Sequence, residues 1–329
     1  MQFTQKILFP ALVAVVTLAT ISCKKEDENA LPSIASIAVT NADFSTLEGA
    51  AVQGGVAVVL SNSNPGDPSG DYTVFAPNNA AFSRLGLNTE GDLGVLNDAF
   101  LTSTLLYHVS NGNLAGASIN TEVTSGSALG PVRRFVRRGS DLYINGSKIL
   151  ATDIAAENGT VHAIDKVLLA TGADIVQSAI ALTESKVFIT PELTFLVEAV
   201  LYAELAGALT ASAGSPSFTV FAPTDAAFKQ LGVDLGVALE KPADIRKLPK
   251  DVVTAVLLNH VVANGGKFTS EMDGGDVAPL GGTNLTLGAF NNGTLTIKGK
   301  SNTTVANMVI PDVLTTNGVV HVIDRVLLP

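Results

Sequence analysis

The chain has 329 residues and a formal net charge of −10, which argues against general nucleic-acid binding, since that needs a basic footprint to displace counterions. Apolar residues make up 47%, aromatics 5% with no tryptophan, and glycines number 30, so the expectation is two domains of ordinary size with aliphatic cores and tight connections, not a disordered chain. The lone cysteine, Cys23, excludes an intrachain disulfide.

In chain order, residues 1–22 carry Lys6, an apolar run over 7–21 and small residues before Cys23, the pattern of a signal peptide too short to be a comfortable membrane span. Ala19-Thr20-Ile21-Ser22-Cys23 resembles a bacterial lipobox, with Thr20 where that motif usually has leucine. The resemblance implies lipidation at Cys23 and a tether over 23–32. The run KKEDE at 24–28 resembles the tether of Bacteroidetes-type surface lipoproteins and reads equally well as a solvated spacer. Over 31–61, Ile34, Ile37, Ala38, Phe44, Leu47, Val52, Val56 and Val59 recur at helical spacing and predict a helical hairpin with a buried side. Turn formers fill 62–71.

Next comes YTVFAPNNAAFSRLG at 72–86, which returns as FTVFAPTDAAFKQLG at 218–232 with ten of fifteen positions identical. In each copy a β-branched and aromatic run reads as a strand and the proline halts it. In the second copy Thr224 or Asp225 caps a helix over 226–231, and Gly232 is placed to end it. A helix is expected over 93–108, then hairpins with turns at Gly139-Ser140 and Asn145-Gly146. GTVHAIDKVLL at 159–169 closes the first copy and GVVHVIDRVLL at 318–328 the second, matching at eight of eleven positions. Between them the second copy repeats the order: helices over 174–210, a turn over 212–217, a helix over 251–262 and β segments over 267–310. The spacing of equivalent residues drifts from 146 (Pro77 to Pro223) to 159 (His162 to His321), so loops grew in the second copy, notably over 240–250. No low-complexity linker intervenes, which implies close packing or a rigid join.

The four histidines, His108, His162, His260 and His321, fall at equivalent places in the copies. Pairing them with Asp165 or Asp324 suggests a His-Asp unit for base or metal chemistry, but each copy offers two histidines, one nearby acid and no G-x-S-x-G elbow; buried imidazoles satisfying backbone groups are the better account. No metal, cofactor or catalytic residue is assigned. Asp165 and Asp324, inside apolar runs, should accept backbone amides and pin the last strand. Arg133, Arg134, Arg137 and Arg138 around Phe135 form a basic cluster without counterpart in the second copy, either a solvated hairpin face or a site for an acidic polysaccharide.

TVFAP followed by an Ala-Ala-Phe helix, a Leu-Leu-x-His-Val helix end and a closing Val-His-x-Ile-Asp-x-Val-Leu-Leu, all in duplicate, resemble the fasciclin, or FAS1, domain. The resemblance implies an α+β fold: two tandem FAS1-like domains over 33–170 and 171–329, each a wedge-shaped β-sandwich with helices packed along one edge. It further implies extracellular adhesion or matrix interaction without enzymatic activity. The family's Tyr-His adhesion motif falls on Tyr107-His108 in the first copy and on Asn259-His260 in the second, where the tyrosine is missing. Expected partners are an extracellular protein or polysaccharide, and the membrane through the lipid anchor; oligomeric state is not legible. The alternative is a glycan- or small-ligand-binding module of the cell envelope without adhesive role.

Overall fold

The computed structural model describes residues 30–121, 123–184, 193–210 and 217–329. The signal peptide, Cys23, most of the tether and all but the last residue of the expected turn over 212–217 lie outside the described residues.

The two motifs most alike between the copies lie side by side. In the first copy β1 (Tyr72–Pro77) runs parallel to the closing strand (Gly159–Ile164), with Tyr72 opposite Gly159 and Pro77 opposite Ile164. The second copy repeats this with Phe218–Pro223 and Gly318–Ile323. All four strands are buried along their whole length, because their faces meet different partners. Phe75 and Ile164 belong to a cluster inside the sandwich, whereas Val74, Ala76, Val161 and Ala163 pack with the helices. Such two-sided burial explains why these runs are almost continuously apolar.

In chain order the remaining strands are β2 (Val109–Asn111), β3 (Thr124–Gly126), β4 (Val132–Arg138), β5 (Asp141–Ile144), β6 (Ser147–Ala156) and the closing β7 (Gly159–Ile164). They hydrogen-bond in the order β2-β1-β7-β6-β5-β4-β3. Phe75 of β1 nevertheless meets Phe135 of β4, ring centroids 5.7 Å apart, so the sheet folds back on itself. The fold runs through β6, which pairs with β5 at its start and with β7 along its length across two register shifts. Asp153 sits there at φ +60°, a bulge that bends the strand. The hairpin turns at Gly139 (φ +59°) and at Asn145-Gly146 (φ +44° and +80°) stand where the sequence put them.

The second copy follows after β8 (Leu169–Ala170): β9 (Phe218–Pro223), β10 (Val261–Val262), β11 (Gly275–Val277), β12 (Leu285–Leu287), β13 (Thr296–Lys298), β14 (Ala306–Thr315) and β15 (Gly318–Ile323), in the order β10-β9-β15-β14-β13-β12-β11. Asp312, at φ +68°, bends β14 as Asp153 bends β6.

Several helix expectations need correction. The hairpin over 31–61 is three helices, Ile34–Thr40, Ser45–Gln53 and Ala57–Leu60, and Val52 and Val59 face solvent. The helix over 93–108 is two, Glu90–Leu93 and Asp98–Tyr107, divided before Asn97, whose side chain accepts from Ala99 and Phe100 amides. The helix over 251–262 stops at Leu258, and Val261 and Val262 form β10. In the second copy Thr224 is the cap, and the helix runs over Asp225–Leu235, past Gly232, to end at Gly236 in the left-handed conformation (φ +67°). The insertion over 240–250 holds a 3-10 helix, Pro242–Lys247, packed against Thr194–Tyr202.

Candidate functional site

Each histidine lies in the interior with both ring nitrogens bonded to backbone. His108, at the end of helix Asp98–Tyr107, has Nδ1 2.7 Å from the Thr104 carbonyl, and its Nε2 accepts from the Leu168 amide at 2.9 Å. The second contact needs an unprotonated Nε2, so the proton is on Nδ1. His260 repeats the arrangement with Val256 and Leu327. His162 and His321 take the opposite tautomer: Nδ1 accepts from the Asp153 or Asp312 amide, and Nε2 donates to the carbonyl of Leu114 or Lys267. Burial pushes His108 and His260 down to about 4 and lowers His162 and His321 as well. Neutral rings with both nitrogens engaged have no lone pair or proton to offer a substrate.

The Tyr107-His108 pair is therefore internal. Tyr107 is fully buried, receives a hydrogen bond on its hydroxyl from Asn145 at 2.5 Å, and burial pushes its phenol up to about 12. Asn259, its counterpart, is equally buried and donates to the Leu327 carbonyl at 3.3 Å. Neither pair presents a side chain that a partner can touch.

Asp165 accepts from the Lys148 amide at 2.7 Å and from Ser147, and Asp324 accepts from the Asn307 amide at 2.7 Å and from the Asn307 side chain. Their own amides donate back to Lys148 and Asn307 carbonyls, so each aspartate clamps the closing strand to its neighbour.

The four arginines do not form one patch, because alternate residues of a strand face opposite ways. Arg133 points inward, fully buried, and donates to the Tyr107 and Gly126 carbonyls and to Ser110 and Ser125, with its guanidinium 4.9 Å from the Phe75 ring centre. Desolvation lowers it to about 10. Arg134 and Arg138 reach the second copy. Arg134 donates to the Gly266 carbonyl, pairs with Glu271 at 2.9 Å and covers the Phe268 ring. Arg138 donates to Ser270 and Met272 carbonyls, pairs with Asp273 at 2.6 Å and covers the Phe290 ring. Arg137 alone stays exposed.

These contacts belong to an interface whose other members sequence reasoning missed. Lys166 is buried with its Nζ 2.6 Å from Asp312 and 2.6 Å from the Gly293 carbonyl. Asp312 also accepts from the Thr269 amide and hydroxyl. β8 adds a parallel strand to β14 through Leu169 and Ala170, and Tyr143 meets Phe290 edge-on at 5.3 Å. Leu31–Pro329 is accordingly one compact unit. The signal was the asymmetry: a basic hairpin in one copy only marks the face turned toward the other.

Among the described residues no group of three or more His, Cys, Asp or Glu side chains is placed to hold a metal ion, and no helix is long and apolar enough to cross a membrane. What these features define is a duplicated α+β scaffold whose shared polar residues serve the architecture. The family model for the Fasciclin domain matches twice, over residues 42–170 and 191–329. Transforming growth factor-beta-induced protein ig-h3 of Sus scrofa is 30% identical over 268 residues, covering 79% of this chain and 35% of that protein. Immunogenic protein MPB70 of Mycobacterium bovis is 38% identical over 101 residues, 31% of this chain and 51% of that one. The solved FAS1 domain pair from the insect cell adhesion molecule Fasciclin I aligns over 90% of this chain and 96% of that structure, with 17% identity and a TM-score of 0.38. The chain belongs to the fasciclin family, as two tandem FAS1 domains. It spans about a third of the length of the ig-h3 protein.

Proposed function

We propose that this is a lipid-anchored, non-enzymatic protein of the cell surface that mediates adhesion to an extracellular protein or polysaccharide. The observation that carries this reading is membership of the fasciclin family twice over, in two domains docked through Arg134, Arg138, Lys166 and Asp312, which yields a broad stiff surface of the sort that grips another macromolecule. The engagement of both nitrogens on every histidine supports the non-enzymatic part. The lipobox-like stretch ending at Cys23 supports the anchor, which would attach the pair to the outer membrane, displayed outward. With Arg134 and Arg138 spent between the domains, an acidic polysaccharide has no arginine cluster to dock on.

The test compares cells making the wild-type protein, a deletion strain and a Cys23→Ala variant. Expected are wild-type protein cleaved by protease added to intact cells, loss of adhesion to coated matrix surfaces on deletion, and incorporation of radiolabelled palmitate by the wild-type protein but not by Cys23→Ala. Adhesion unchanged by deletion sinks the adhesive reading, and a wild-type protein that takes up no palmitate sinks the anchor.

A further inference from the structure

We propose that Asn292 is a site of spontaneous modification: its side chain cyclises onto the Gly293 amide and opens to isoaspartate, which breaks a bond between the two domains. The chain contains six Asn-Gly pairs, at 111–112, 145–146, 158–159, 264–265, 292–293 and 317–318. Glycine after asparagine suits this reaction because no Cβ hinders the approach of its nitrogen to the side chain. What separates the six is how the fold holds them.

In five pairs the asparagine Oδ1 accepts a hydrogen bond that holds the side chain away from the next amide. Asn111 takes one from Asn64, Asn264 from Thr219, and Asn145, Asn158 and Asn317 from the amides of Arg134, Ile34 and Ile175. The Gly112 and Gly265 amides are themselves committed, to the Asp71 and Ser217 carbonyls. Asn292 differs. It is exposed, and among the described residues neither its side chain nor the Gly293 amide has a hydrogen-bond partner. The two residues form the tip of a turn closed by Asn291 and Thr294, with φ of +47° and +79°. In the reaction the Gly293 nitrogen gives its proton to water and attacks Cγ of Asn292; the Cγ–Nδ2 bond breaks, and ammonia leaves with a proton from water. Water then opens the resulting succinimide. Opening at the main-chain carbonyl routes the backbone through Cβ and Cγ, lengthens it by a methylene and frees an α-carboxylate. The Gly293 carbonyl accepts from Lys166 Nζ at 2.6 Å and from the Thr269 hydroxyl at 3.0 Å, so the longer turn takes an acceptor away from the lysine of the first domain.

The experiment incubates the full chain in mildly alkaline buffer, digests it, and probes the peptides with a protein isoaspartyl methyltransferase and a labelled methyl donor. Folded protein should carry label on the Asn292 peptide alone, and protein incubated in urea should carry it at all six pairs. Asn292→Gly, which keeps a residue suited to positive φ but removes the reacting amide, should take no label when folded. In calorimetry the aged wild type should melt below fresh protein, and ageing should leave Asn292→Gly unchanged. Label spread over the six pairs in folded protein, label missing from Asn292, or an unshifted transition in protein converted at 292 overturns the proposal. The comparison of folded with urea-treated protein uses wild type only, so it decides even if the variant does not fold.

Discussion

At the scale of single residues, the polar side chains shared by both domains act on the backbone, and their cost and benefit are set by burial. His108 and His260 are held near 4, against an unfolded value near 6.5. Between those values the unfolded chain binds protons that the folded one refuses, so the stability they contribute is whole above pH 6.5 and drains as pH falls toward 4. At pH 5 the loss should be roughly 2 kcal/mol for each histidine. Urea titrations at pH 7 and pH 5 test this, and His108→Gln with His260→Gln should shrink the difference, leaving the part due to His162 and His321; a wild-type midpoint that does not move would exclude neutral buried rings. Asp324→Ala removes the acceptor for both the amide and the side chain of Asn307 and should cost about 1–3 kcal/mol, read as a lower melting temperature. That aspartate was legible because a carboxylate inside an apolar run must find donors; Asp312 sits in a run just as apolar, Met308 to Leu314, but its partner, Lys166, lies in the other domain, where no sequence spacing points to it.

At the scale of elements, the parallel strand pairs were legible since burial on both faces leaves an unbroken apolar run, but their adjacency was not, since pairing across the chain has no local signal. Helix ends were misread where one residue type serves two purposes. Gly86 does take the left-handed conformation (φ +79°), in the turn that follows helix Asn79–Ser83, whereas Gly232 lies within its helix, where a Cβ would come 2.6 Å from the Val237 carbonyl oxygen. Close approach, not chain reversal, requires that glycine. The same requirement governs the parallel pairs, where a Cβ on Gly318 would lie 2.2 Å from the Phe218 carbonyl oxygen and one on Gly159 would lie 1.9 Å from that of Tyr72. Gly318→Ala and Gly159→Ala should each destabilise by about 2–4 kcal/mol, lowering the denaturation midpoint with the slope unchanged. A midpoint within error of wild type would mean that β1 and β9 tolerate displacement from their partners.

At the scale of the whole molecule, the two domains use matching parts to different ends. Asp153 caps the turn at Gly116 in the first domain, and its counterpart Asp312 caps the turn at Thr269 while also meeting Lys166. One aspartate position thus organises a domain and, in the second copy, joins it to the first. Removing one partner of a buried ion pair typically costs about 3–5 kcal/mol because the other is left charged and unpaired. Lys166→Met should therefore weaken the join more than Arg138→Ala, whose partner Asp273 is largely in water. Calorimetry on wild type should give a single transition, since unfolding one domain strips β14 of β8 and uncovers Phe268 and Phe290 beneath the arginines. Lys166→Met should split that transition in two and increase the radius of gyration measured by X-ray scattering. Adding Asp312→Asn, which discharges the stranded carboxylate while keeping an acceptor for the Thr269 amide, should draw the two transitions back together. A Lys166→Met protein that still melts in one step at the wild-type temperature would shift the coupling from the buried pair to the arginine hairpin, and Arg134→Ala with Arg138→Ala would then produce the split.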